Sequence, residues 1–271
     1  MKLGVLIVLD ENVEQKIAEV SEMGFANCQL SAWKHELHTP EMAQKINSAC
    51  QKYGVRISTF WCGWSGPAVW DFYEGPETLG LVPEQYREMR TKELKDGSDF
   101  AKLLGVTTVA THVGFLPENP SSKEYKSIVL CLREICEHMK NNGQYFLFET
   151  GQETPVTLRR TIEDIGTGNA GVNLDVANLI LYGKANPIDA LGIIGEYVKN
   201  IHAKDGKYPT SGKELGKEYP LGQGDVNFPV LAQKLKCMNY DGDITIEREI
   251  SGEEQRRDIL EAKEYLEALF E

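Results

Sequence analysis

The chain has 271 residues, 41% hydrophobic and 26% charged, a globular composition long enough for one large barrel or two smaller domains. Its 41 acidic residues against 29 basic ones leave a formal charge of −12. That argues against a nucleic-acid partner, because a phosphate backbone asks for a basic footprint. No apolar run approaches the roughly 18 residues of a membrane span, and the opening "MKLGVLIVLDEN" lacks the build of a signal peptide. Six cysteines form no CxxC pair, so reduced thiols and a cytoplasmic location are expected, with neither membrane nor nucleic acid as partner.

"LGVLIVL" (3–9) reads as the first strand, since consecutive apolar positions suit a strand buried on both faces. The helical stretch "VEQKIAEVSEMG" follows and stops at Gly24. "CQLSAW" (28–33) is the second strand, and after it "HELH" sets His35 and His38 at i, i+3, a surface pair without further ligands nearby. "TPEMAQKINSACQKYG" has Thr39 to cap, Pro40 at the first helical position and Gly54 as its stop. Next come "ISTFWCG" (57–63) and the aromatic loop "FWCGWSGPAVWDFYEG", whose rings suit a sugar's apolar face or a subunit interface. "REMRTKELKDGSD" alternates charge and reads as a solvated helix face. Strands four to six are "TTVATHVG" (107–114), "YFLFETG" (145–151) and "AGVNLDVAN" (170–178). Thr154, Pro155 and Gly166 bracket the helix between the last two, and Asn186–Pro187 open another. "VKNIHAKDG" (198–206) and "DITIEREI" (243–250) complete the strands before a final helix over 251–270.

Eight strands, each followed by a helix, predict an α/β fold: one (β/α)8 TIM barrel over residues 1–271, with its active site at the C-terminal ends of the strands. A doubly wound sheet would more often carry a Gly-rich turn after the first strand, and "VLDENVEQ" has none.

Those strand ends are unequal. The first three offer Asp10, Trp33 and Trp61–Cys62, whereas the last five offer His112, Glu149, Asp175, His202 and Glu247. A carboxylate such as Glu149 at the end of an apolar run costs several kcal/mol unless something pairs with it. Taken singly, Glu149 suits a salt bridge, Asp175 a helix cap, His202 a satisfied polar group and Glu247 an ion pair with Arg248. Together on neighbouring strands they point to one divalent cation, around which three carboxylates become tolerable. Mn²⁺ is favoured, with Co²⁺, Mg²⁺ and Zn²⁺ also suited to oxygen-rich ligation with one histidine.

The ordered set "FLFETGQE", "VNLDVANLILYG", "NIHAKDG", "LGQGDVNF" and "ITIERE" resembles the xylose isomerase-like TIM-barrel superfamily, in its sugar phosphate isomerase/epimerase branch, over essentially the whole chain. The resemblance implies one divalent metal held by Glu149, Asp175, His202 and Glu247, with the two glutamates as the acid–base pair. It also raises the expectation of a homodimer. The chain departs from the free ketose 3-epimerases, with Asn178 where they carry a histidine and Tyr208 where they carry an arginine. "HAKD" looks more like the isomerases and inosose dehydratases of the superfamily.

The expected function is therefore a metal-dependent sugar or sugar-phosphate isomerase or epimerase, moving a proton next to a ketone through a metal-stabilised enediolate. The partner is a small carbohydrate, with His112, Trp61, Asn178, Lys204 and Arg248 assigned to its binding. Lys204 suits an oxyanion or a pairing with Asp205. A dehydratase of keto-cyclitols or related polyols is the alternative on the same site. Behind it come an inactive sugar-binding barrel and an endonuclease IV-like nuclease, which needs histidines that Asn178 and "GKEYPLG" do not supply. Lys207, Lys213 and Lys217 in the loop 206–227 permit a phosphosugar, although the loop reads better as a solvated one.

Overall fold

A computed structural model describes residues 2–270. Eight parallel strands close into a barrel: β1 (Lys2–Val8), β2 (Asn27–Ala32), β3 (Arg56–Cys62), β4 (Thr108–Thr111), β5 (Tyr145–Glu149), β6 (Ala170–Asp175), β7 (Val198–Ala203) and β10 (Asp243–Ile246), with β10 pairing both β7 and β1. Around it lie α1 (Val13–Glu22), α2 (Pro40–Tyr53), the single turn α3 (Gly75–Thr78), α4 (Glu84–Leu103) and α5 (Lys123–Asn141). The ring continues with α6 (Pro155–Ile165), α7 (Val176–Leu181), α8 (Pro187–Ile194), α9 (Phe228–Cys237) and α10 (Glu253–Phe270). No described helix is long and apolar enough to cross a membrane.

Local chemistry sets the helix ends. Thr39 Oγ1 accepts from Met42 N–H and Thr154 Oγ1 from Thr157 N–H, each before a proline whose missing N–H costs the first turn nothing. Gly54 and Gly166 close the same two helices at φ of +68°, a conformation that would strain a residue with a Cβ. Between helices and barrel, Val5, Leu30, Phe60, Phe146, Phe148 and Ile244 are buried in one core.

Two strands differ from the expected spans. The sixth stops at Asp175 instead of running to 178, because the Asp175 side chain caps α7 by accepting from Asn178 N–H at 2.8 Å. The seventh is interrupted after Ala203; beyond it β8 (Asp205–Lys207) pairs antiparallel with β9 (Lys217–Tyr219) in a hairpin over the barrel mouth. Asp205 anchors that hairpin by accepting from the N–H groups of Gly206, Gly222, Gly224 and Val226 at 2.8 to 3.1 Å. The hairpin loop also meets the aromatic loop, where Phe72 N–H donates to Lys213 C=O.

Candidate metal centre

Glu149, Asp175, His202 and Glu247 converge at the C-terminal mouth of the barrel. Each offers one ligand atom, and the four atoms lie within 4.8 Å of one another. Among the described residues no other group of three or more such side chains does so. The convergence follows from the pleat: strand-end side chains of β5, β6 and β7, and the residue just past β10, all point to the barrel axis.

Three of these residues leave a buried atom without a hydrogen-bond partner: Glu149 Oε1, Asp175 Oδ2 and His202 Nδ1. Nδ1 is 2.9 Å from Glu149 Oε1 and 3.0 Å from Glu247 Oε2, close in distance but misaligned for hydrogen bonds. Leaving buried polar atoms unpaired costs about 1–3 kcal/mol each, more when charged. A divalent cation fits this donor set, and these four residues would hold it. Asp175 Oδ1 caps α7, while Oδ2 faces the centre without a hydrogen-bond partner.

A layer of amides beneath the centre aims the ligands. His202 Nε2 sits 2.5 Å from Gln29 Oε1, which directs Nδ1 into the site. Gln29 Nε2 reaches Asn173 Oδ1 at 3.4 Å, Asn200 donates to the same oxygen at 2.6 Å, and Asn173 Nδ2 donates to Glu149 Oε2. Trp61 Nε1 also donates to Glu149 Oε2, at 3.3 Å. The outward carboxylate oxygen is thereby occupied and Oε1 is left for the centre.

Charge balance follows from the same geometry. Burial pushes the Glu149 carboxyl up, against the pull of His202. For Asp175 and Glu247 burial also opposes ionisation, but Lys204 and His202 outweigh it and hold both below the usual carboxylate range. His202 lies well above its ordinary value: burial disfavours the imidazolium, and Glu149 and Glu247 overcome that.

The residues assigned to substrate are distributed unevenly. Trp61, His112 and Asn178 line the cavity above the centre. His112 Nδ1 is 3.1 Å from Gln152 Oε1, whose amide donates to Tyr182 Oη at 2.9 Å. Burial, aided by Lys204, holds His112 down to about 4, so it faces the cavity as a neutral ring. Lys204 is fully buried beside the centre, its Nζ 3.6 Å from both Asp175 Oδ2 and Glu247 Oε2 and 2.6 Å from Glu249 Oε1. It therefore pairs with Glu249 and the ligands rather than with Asp205. Arg248 also lines the cavity, but its guanidinium is engaged by Glu218 at 2.8 Å and Asp258 at 2.9 Å. Lys207, Lys213 and Lys217 are exposed on the hairpin and its loop, outside the cavity lining. Tyr208 is 42% exposed, also outside it.

His35 and His38 are not the surface pair expected. His38 stacks on Phe100 with ring centroids 4.9 Å apart and meets Phe60 edge-on. All four ring nitrogens of the pair are shielded without a hydrogen-bond partner, and Glu93 Oε2 lies 3.7 Å from His35 Nε2. Burial brings His38 down to about 4. His35 adds to the lowering, and Asp96 and Glu36 do not offset it.

Residues that the strand-end reading missed do much of the shaping. Gln29 and Asn173 announce themselves only as single amides inside apolar strands. Arg90, in "REMRTKELKDGSD", is fully buried rather than solvated, and donates to the carbonyls of Ser65, Pro67, Thr78 and Gly80. Glu153, in the turn after β5, is buried with Oε1 unpartnered, and burial pushes it up to about 8. Its folded value exceeds its unfolded one, so it erodes stability as pH rises between about 4.5 and 8. Glu153→Gln is therefore expected to stabilise by about 1–3 kcal/mol at pH 8 and little at pH 5. Urea titrations at both pH values check this; an equal effect at both would contradict the buried-acid reading.

Comparison with known proteins places this geometry. Residues 17–269 match the family described as xylose isomerase-like TIM barrel. An uncharacterized protein of Methanocaldococcus jannaschii is 29% identical over 288 residues, covering 100% of this chain and 91% of that protein. The crystal structure of a xylose isomerase domain protein from Planctomyces limnophilus superposes with a TM-score of 0.93 at 34% identity, covering 99% and 96% of the two chains. The 3-keto-D-glucoside 4-epimerase of E. coli has the same fold, with a TM-score of 0.75 at 17% identity over 99% of each chain. Sugar 3-epimerases and a probable dehydratase share that architecture at comparably low identity. The closed eight-stranded barrel and the match over nearly its full length show that the chain belongs to the xylose isomerase-like TIM barrel family.

Proposed function

We propose that the protein is a divalent-metal-dependent isomerase or epimerase of a sugar or sugar phosphate, working by proton transfer next to a ketone. The observation that carries the reading is the convergence of three carboxylates and one imidazole with three buried, unpartnered ligand atoms. The sugar epimerases that share the fold support it. A bound Mn²⁺, Co²⁺, Mg²⁺ or Zn²⁺ would supply Lewis-acid polarisation of the carbonyl and a template for its neighbouring hydroxyl.

The chain's own residues supply the rest. Glu149 ends β5 and Glu247 follows β10, the two strands that flank the β6–β7 pair, so the two carboxylates approach the cavity from different sides. One takes the proton from the carbon beside the carbonyl, and the other returns a proton. Return to the opposite face of that carbon is epimerisation, and return at the neighbouring carbon is isomerisation. Asn173 and Trp61 hold Glu149 by its Oε2, which fixes the carboxylate at the cavity wall with Oε1 toward the centre. Neutral His112 and Asn178 offer hydrogen bonds to hydroxyls without adding charge. The rings of Trp61, Trp64 and Trp70, with centroids 6.2 and 6.3 Å apart in sequence, wall off water on one side.

Lys204 gives the dehydratase reading its specific support. Against the pull of burial, Glu247, Glu249 and Asp175 hold its ammonium well above the ordinary lysine value. Beside the ligands it is therefore a fixed positive charge that stabilises a departing hydroxyl, a group that dehydration has and epimerisation does not. The test is a screen of keto-sugars in heavy water with each metal supplied. Deuterium at a carbon next to the carbonyl, with the sugar's mass otherwise conserved, is the expected result. Product lighter by one water would select the dehydratase, and no exchange on any keto-sugar would remove both readings.

A further inference from the structure

The cavity does not end at the metal ligands. It is a single space of about 920 Å³ whose lining reaches from the candidate ligands out to the helices beside β1. The inner part is bounded by Glu149, His112, Asn178 and Tyr182, and the outer part runs past Trp33 and Val8 toward Met23 of α1 and Ile259 of α10. The total sits near the top of the roughly 300–1,000 Å³ range of sites that enclose a drug-sized ligand. One sugar ring at the carboxylates leaves the outer part unfilled.

Lys16, Glu19, Glu253 and Arg256 also line that outer part, and its apolar face is made by Val8 and Trp33. Val8, at the end of β1, is 45% exposed, and Trp33, one residue past the neighbouring β2, is 37% exposed. Trp33 is nevertheless fixed. Its ring lies on Gly63, where an added Cβ would come within 2.6 Å of it, and it packs at 5.2 Å on Trp61 and 5.3 Å on Trp64. Trp61 in turn donates to Glu149. A rigid aromatic face thus begins one ring away from the proposed catalytic carboxylate and stays open to the cavity. Rigid exposed rings bind apolar faces with little ordering cost.

We propose that the substrate is a keto-sugar carrying a second group with an apolar face, a glycoside whose aglycone or second ring lies on Trp33 and Val8, rather than a free monosaccharide. The inference rests on the sugar isomerase or epimerase reading for the inner part of the cavity. It is tested by calorimetric titration of the full chain, supplied with Mn²⁺, against free hexoses and their phenyl glycosides as non-reacting probes. At least one phenyl glycoside is expected to bind about tenfold or more tightly than its parent sugar. Trp33→Ala removes an exposed ring, and Gly63→Ala displaces the same ring without removing it. Both are expected to erase the preference while leaving free-sugar binding within about twofold.

Equal or tighter binding of the free sugars, no binding of any glycoside, or a preference that survives both substitutions overturns the proposal. The heavy-water screen separates this failure from that of the underlying reading. Deuterium uptake into free keto-sugars without a glycoside preference removes the two-part substrate alone. A Trp33-dependent preference without any exchange keeps the outer site and removes the isomerase.

Discussion

Glu247→Gln is expected to lower turnover by at least about 10²–10⁴-fold, the range that one positioned acid–base group contributes. The amide keeps the shape of the carboxylate but neither accepts the substrate proton nor carries its charge. Glu247 Oε2 is 3.0 Å from His202 Nδ1 and 3.6 Å from Lys204 Nζ, so the substitution also removes one anionic member of the candidate ligand set and leaves the buried Lys204 ammonium short of a counter-charge. Weaker metal binding should accompany the loss of rate. Measuring turnover at saturating metal separates the two effects: a rate still depressed there belongs to proton transfer. A Glu247→Gln protein that holds its metal and turns over like wild type would sink the two-glutamate mechanism.

Arg90→Ala is expected to destabilise the protein by about 3–5 kcal/mol, because it strips partners from several buried carbonyls at once. The Arg90 guanidinium has no carboxylate bonded to it. It donates to Ser65, Pro67, Thr78 and Gly80 at 2.6 to 3.1 Å and lies over the rings of Trp64 and Tyr86. These bonds tie together both ends of the loop that carries Trp64 and Trp70. Arg90→Lys restores the charge but not the planar fork, and should recover only part of the loss. Urea unfolding gives the stability, and hydrogen exchange across residues 64–81 shows whether the loop loosens first. Wild-type protection of that loop in Arg90→Ala would mean that its own packing holds it.

The barrel was legible because each unit carries local punctuation. Thr39–Pro40–Gly54 and Thr154–Pro155–Gly166 work through bonds within a few residues, so the chain states them directly. The end of β6 was misplaced because Asp175 serves two elements at once, and an apolar run such as "VANLILYG" fits strand and helix alike. The interruption after Ala203 depends on Asp205 meeting amides up to 21 residues later, which no local pattern reveals.

The candidate site divides in the same way. Its four metal-ligand candidates stood out as ionisable groups at strand ends, where burial makes them costly. The supporting amides did not, since Gln29 meets Asn173 across 144 residues and His202 across 173. Only barrel closure brings them together. Arg90 was hidden by its setting, because a charged helix face and a single inward arginine look alike until the loop above it is placed.

Metal content per chain, by elemental analysis of protein purified without chelator, tests the central claim most directly when wild type is set beside His202→Ala. The account predicts about one Mn, Co, Zn or Mg per wild-type chain, and its loss in the variant, since His202 Nδ1 is one of only four ligand atoms. A wild-type chain that stays empty after these ions are added back would contradict it. Glu149 and its neighbours would then be a buried charge network, and the cavity that of a binding protein.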